Sequence, residues 1–197
     1  MLACATLVVI TGGALAGQMM TSCTGASAAE SVALSPDGSL RLAVGVSDSG
    51  RVFYTLHHAD SPLIDTSYVS IDMKEGSIGR RSAIKSISHD SFDETWEQPW
   101  GEEAKVRNNY NEMRVELAEK DSKVPAYTLV FRIFDDGIGF RYEIPETAGL
   151  DSVTIMNEDS QFRIHEDAVA WAQPWDHEYY EHLYLPAPVS RLDTVTT

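Results

Sequence analysis

Cysteine is almost absent from this chain: two residues, Cys4 and Cys23, among 197. Both fall in the first thirty positions, so the region after them holds no disulfide, no thiolate metal site and no cysteine nucleophile. Positive charge is scarce too. Fifteen Lys and Arg stand against thirty Asp and Glu, giving a formal net charge of -15 and a pI of about 4.6. Such a surface repels phosphate backbones and anionic lipid, which argues against a nucleic-acid partner. The charge suits cation binding or carboxylate contacts to neutral sugars; plain solubility accounts for most of it. Also missing are an amphipathic helix of three turns, a low-complexity tract, an internal repeat, a Ser-His-Asp arrangement and a glycine-rich phosphate loop.

The one long apolar stretch lies at the start. No charge precedes Glu30, and residues 2–16 have the length of a signal-peptide core, too short to span a bilayer comfortably. Ala26-Ser27-Ala28 resembles a small-residue cleavage site, and Met20-Thr21-Ser22-Cys23 a lipoprotein box that would lipidate Cys23. The basic stretch that opens an export signal is missing, as it would be if the natural start lay upstream. A buried helix is the competing reading, and the Gly and Thr residues inside the run oppose it. The expectation is a leader over 1–29 and an exported domain over 30–190, periplasmic or an outer-membrane-associated lipoprotein, with no transmembrane span. One domain of this size can bury a proper core.

What is present is alternation. In residues 127–145, Leu129, Phe131 and Ile133 alternate with Thr128, Val130 and Arg132; after Asp135-Asp136-Gly137, Ile138, Phe140, Tyr142 and Ile144 alternate with Gly139, Arg141 and Glu143. A period of two marks a strand with one buried face. A positive φ at Gly137, with the Asp side chains on nearby amides, would close the hairpin. Upstream, 31–34, 40–46 and 52–56 read as strands separated by turn signatures at 35–38 and 48–50, and an extended segment runs from Ser61 to Ile71. Residues 74–81 read as a polar connection, 84–87 as a short strand, 90–103 as irregular, and 106–117 as a pair of strands with Asn108 to Asn111 between or within them. Weaker strand candidates are 153–156, 162–164 and 169–171. The fold class is all-β: an antiparallel sandwich of two packed sheets.

The motif FRIFDDGIGFRYEIP at 131–145 resembles the amino-terminal domain of glycoside hydrolase family 97, the family of SusB-like α-glucosidases and α-galactosidases. SPDGSL (35–40), ETWEQPWGE (94–102), RNNYNE (107–112), AWAQPW (170–175) and EHLY (181–184) extend the likeness over nearly everything after the leader. The resemblance implies a large sandwich of the galactose-mutarotase kind, packed on a catalytic (β/α)₈ barrel that carries the catalytic carboxylates. No barrel pattern occurs here, so 191–197 reads as the start of a linker, the chain as a fragment or truncated product, and none of its residues as catalytic.

Three places invite chemistry. Asp176, Glu178 and Glu181, interleaved with Trp175, Tyr179 and Tyr180, form an oxygen-rich patch beside aromatic rings. Calcium takes about six to eight oxygen ligands, although an acidic chain also brings carboxylates together by chance. The family resemblance implies a calcium ion shared with the barrel, with Glu181 as its ligand and Glu178 as the competing assignment. It leaves this chain alone with weak or negligible affinity. Secondly, Trp96 and Trp100 sit in an acidic segment. Trp96 reads as core; Trp100 either plugs the sandwich or meets a partner domain or the rim of a sugar site, while the nearby Asn residues suit sugar hydroxyls or loop bonds equally. Trp100, Trp175 and Tyr180 are thus the candidate sugar contacts, the ligand being an oligosaccharide with terminal α-linked glucose or galactose. Thirdly, His57 and His58 are adjacent on a strand and face opposite sides, which reads as surface or satisfied histidine. The competing function is a free-standing carbohydrate-binding or protein-interaction module.

Overall fold

The computed structural model describes residues 30–120, 124–146, 152–173 and 181–192, so the expected leader, Trp175, Glu178 and Tyr180 lie outside the described residues. Twelve strands are described: β1 (Ser31–Leu34), β2 (Leu40–Val46), β3 (Val52–His58), β4 (Ser61–Met73), β5 (Gly76–Ile78), β6 (Ser82–Glu97), β7 (Lys105–Glu119), β8 (Tyr127–Ile133), β9 (Ile138–Glu143), β10 (Ile155–Ser160), β11 (Val169–Ala172) and β12 (Leu185–Pro188). One sheet runs β1-β2-β3-β4-β10 with β5 also on β4, a second runs β6-β7-β8-β9, and β11 pairs with β12. Every ladder is antiparallel.

The two larger sheets meet face to face as the alternation requires. Leu40, Leu42, Val44, Val52, Tyr54 and Leu56 from the first join Met113, Val115, Leu117, Leu129, Phe131 and Ile133 from the second in one buried cluster. Tyr54 spans the interface, its ring centroid 6.0 Å from both Phe131 and Phe140. Beside the β9 and β10 edges, Phe162 lies 6.1 Å from Phe140, and the Tyr54 hydroxyl donates to the Gln161 carbonyl at 2.9 Å.

Several local expectations are corrected. Residues 90–97 are not irregular, and 84–87 is not a separate short strand: β6 continues for 16 residues to Glu97, leaving only 98–103 of that segment outside the strands as expected, and the Asn108 to Asn111 run lies within the single strand β7. The connection at 74–81 contains β5. In the β8–β9 hairpin Gly137 does not take a left-handed φ; the Phe134 N–H donates to the Gly137 carbonyl at 2.8 Å. Asp135 accepts at 2.9 Å from the amide of Asp37, in the β1–β2 turn, so the tips of two hairpins are tied across the sandwich. Asp37, which accepts from the Ser35 hydroxyl and the Ser39 amide, is held down at about 2 by those bonds.

Candidate functional site

β8 pairs only with the part of β7 from Asn111 to Leu117, whereas β6 and β7 remain in register out to Glu97↔Lys105. Residues 92–97 and 105–110 therefore leave the sheet as a two-stranded ribbon. Directly opposed residues share a face, so Phe92 with Tyr110, Glu94 with Asn108, and Trp96 with Val106 line one side. The other side is consumed by its own ion pairs: Arg107 grips Asp93 through two bonds of 2.8 and 2.7 Å, and Lys105 lies 3.5 Å from Glu97. At the tip the Gln98 amide group donates to the Glu103 carbonyl, and Trp100 is 84% exposed. Trp96 is 47% exposed, which corrects its assignment to the core; Trp100 does not plug the sandwich either.

Below the ribbon the same outer face becomes polar. Phe92 stacks on Tyr110 with centroids 5.3 Å apart, Phe134 lies 5.3 Å from Tyr110, and the Arg132 guanidinium sits 4.4 Å from the Tyr110 centroid. From there Glu112 accepts from Arg132 at 2.9 Å and Arg114 at 3.2 Å, while Glu143 accepts from Arg114 and from Arg141. Burial pushes Glu112 up, but the two arginine hydrogen bonds outweigh it and the carboxyl is held below its ordinary value. Arg114 and then Arg141 do the same for Glu143. A hollow of about 450 Å³ lies beside the ribbon base between β1 and β6, lined by Val32, Leu34, His89, Asp90 and Asn111 among others.

Towards the end of the chain, Trp171 in β11, Leu185 in β12 and the preceding Leu183 and Tyr184 are largely exposed. The Asp167 carboxylate accepts from the Ser190 amide and hydroxyl at 2.8 and 2.7 Å and is held low by them. Glu181 is exposed, in the segment 181–184 that leads into β12, and no group of three or more His, Cys, Asp or Glu among the described residues is placed to hold a metal ion. The structure brings together Asp65 and His165, 3.0 Å apart, a pair that spacing could not show because one hundred positions separate them. His57 lies half-buried in β3 with Nδ1 unpartnered, and His58 is exposed.

Comparison with known proteins extends from fold to family. A family 97 enzyme from a Pseudoalteromonas species, solved in complex with panose, matches with a TM-score of 0.74 and 29% identity over 82% of this chain and 25% of that one. The acarbose complex from the same source matches with a TM-score of 0.72 and 29% identity over 80% and 24%. A β-arabinopyranosidase shares the fold, with a TM-score of 0.74 and 23% identity over 84% and 28%. This chain therefore spans about a quarter of the length of these structures. The model of the glycosyl-hydrolase 97 N-terminal region matches residues 34–197, and on that match the chain belongs to the amino-terminal domain family of the family 97 glycoside hydrolases.

Proposed function

We propose that this sandwich is the non-catalytic amino-terminal part of an exported α-glycosidase, packing on a catalytic barrel and shaping one wall of its sugar pocket. The observation that carries the reading is the family match over 34–197, joined to 29% identity with enzymes solved with panose and acarbose. The substrate class is an oligosaccharide ending in α-linked glucose or galactose. Glu181, with Glu178 as the alternative, would supply one oxygen ligand to calcium, a hard cation that takes carboxylate, carbonyl and water oxygens. The remaining ligands would come from outside this chain. Trp100, Trp175 and Tyr180 would contact sugar, since aromatic faces suit the apolar faces of pyranose rings.

Glycoside hydrolysis needs two carboxyl groups flanking the bond, about 5–5.5 Å apart for retention or 6.5–9.5 Å for inversion. We assign no such pair within this chain. The test is turnover of p-nitrophenyl α-glucoside and α-galactoside by the 197-residue chain and by a form carrying the remainder of a family 97 enzyme, each with calcium and with chelator. Turnover confined to the longer form is the expected result. Chelator-sensitive turnover by the short chain overturns the reading and makes Glu178 and Glu181 the first residues to mutate.

A further inference from the structure

The ribbon at 92–97 and 105–110 has two unlike faces. On one, Asp93, Arg107, Glu97 and Lys105 satisfy one another. On the other, two exposed aromatic rings, Phe92 and Trp96, flank Glu94 on β6, with Asn108 opposite Glu94 on β7. Neither Glu94 nor Asn108 makes a side-chain hydrogen bond among the described residues. Phe92 and Trp96 are four positions apart on one strand face, hence about 13 Å along it, the span of a short oligosaccharide.

We propose that this face binds a neutral oligosaccharide on the outside of the domain, with Phe92 and Trp96 as stacking platforms and Glu94 and Asn108 as hydrogen-bond partners for hydroxyl groups between them. The chemistry selects the occupant. A protein partner covering the aromatic rings would also bury the Glu94 carboxylate, which is costly without a paired cation. A sugar covers a ring with its apolar face while giving the carboxylate hydroxyl donors and leaving it in water. Anionic ligands are repelled by Glu94 and by the chain's net charge of -15. Asn108 adds an amide that both donates and accepts, as a hydroxyl ligand requires. The inference rests on the glycosidase reading for the class of sugar, but its site is separate from Glu181.

The experiment is a titration of the 197-residue chain with maltotetraose, followed by tryptophan fluorescence and calorimetry. A dissociation constant on the order of 1 mM is expected. Trp96→Ala should weaken it about tenfold, the loss of one aromatic contact. Glu94→Gln, which keeps shape and folding, should weaken it several-fold, and Trp171→Ala should leave it unchanged. No saturable binding, or equal loss in Trp96→Ala and Trp171→Ala, overturns the proposal. So does a Trp96 that is shielded and indifferent to sugar in the longer enzyme form, because the face is then a domain contact. If that longer form hydrolyses aryl α-glycosides while the short chain binds no maltotetraose, the glycosidase reading stands and this inference alone fails.

Discussion

Gly79 shows how a single residue can hold two sheets in register. It has φ +82°, and an added Cβ would lie 2.2 Å from the Val69 carbonyl oxygen. Its N–H donates to Glu119 at 2.6 Å and to the Tyr127 hydroxyl at 3.0 Å, and Ser82 joins the same pair of side chains. Glu119 also accepts from the Arg81 amide at 2.8 Å. The turn after β5 is thereby clamped to the ends of β7 and β8, and burial raises the Tyr127 phenol so that it stays a neutral donor or acceptor. Replacing Gly79 by alanine forces both a left-handed backbone and a backbone clash, at a cost of about 2–3 kcal/mol. Tyr127→Phe removes the hydroxyl's bonds to Gly79, Ser82 and Glu119 but leaves the Gly79 amide on Glu119, at a cost of about 1–1.5 kcal/mol. Urea unfolding should show both as lowered midpoints with unchanged slopes, in that order of size; a Gly79→Ala midpoint equal to that of the parent chain would refute the clamp.

At the scale of the element, β7, β8 and β9 carry opposite investments on their two faces. Inward, alternation alone specifies the core, which is why the β8–β9 hairpin and the β2 and β3 strands are legible from residue pattern. Outward, Arg132, Glu112, Arg114, Glu143 and Arg141 form a chain of ion pairs across three strands, and nothing in the local sequence reveals it because the partners are up to 29 positions apart. The folded Glu112 and Glu143 lie below their ordinary 4.5. The stability they contribute is therefore complete above that value and is lost as pH falls through the lower folded values. With the Glu112 side chain only 13% exposed but its arginines more than a third exposed, Glu112→Gln should cost about 1 kcal/mol at pH 7. The difference from the parent should shrink towards zero by acid unfolding at low pH, and an offset that persists there would mean packing rather than charge. The ribbon was hidden for a different reason. With solvent on both sides, 90–97 needs no hydrophobic alternation, and a strand without a buried face looks like a polar loop.

For the whole molecule, what the sequence made legible was the sandwich and its family, while the site was legible only as residue types. Glu181 and the aromatic residues near it sit at the end of the chain that matches a quarter of its structural relatives, and among the described residues nothing completes a coordination sphere around Glu181. Calcium takes about six to eight oxygens, and the division of ligands proposed above leaves this chain to supply only one of them. Calorimetry of the 197-residue chain with calcium chloride should therefore show no saturable heat, and Glu181→Ala should change nothing in that titration. In the longer enzyme form the same substitution should weaken calcium binding and raise the calcium concentration needed for turnover, whereas Glu178→Ala should do so only if the ligand is Glu178. Tight binding by the short chain that disappears with Glu181→Ala would show instead that the sandwich closes the calcium sphere by itself, and the division of labour proposed between the two parts of the enzyme would have to be redrawn.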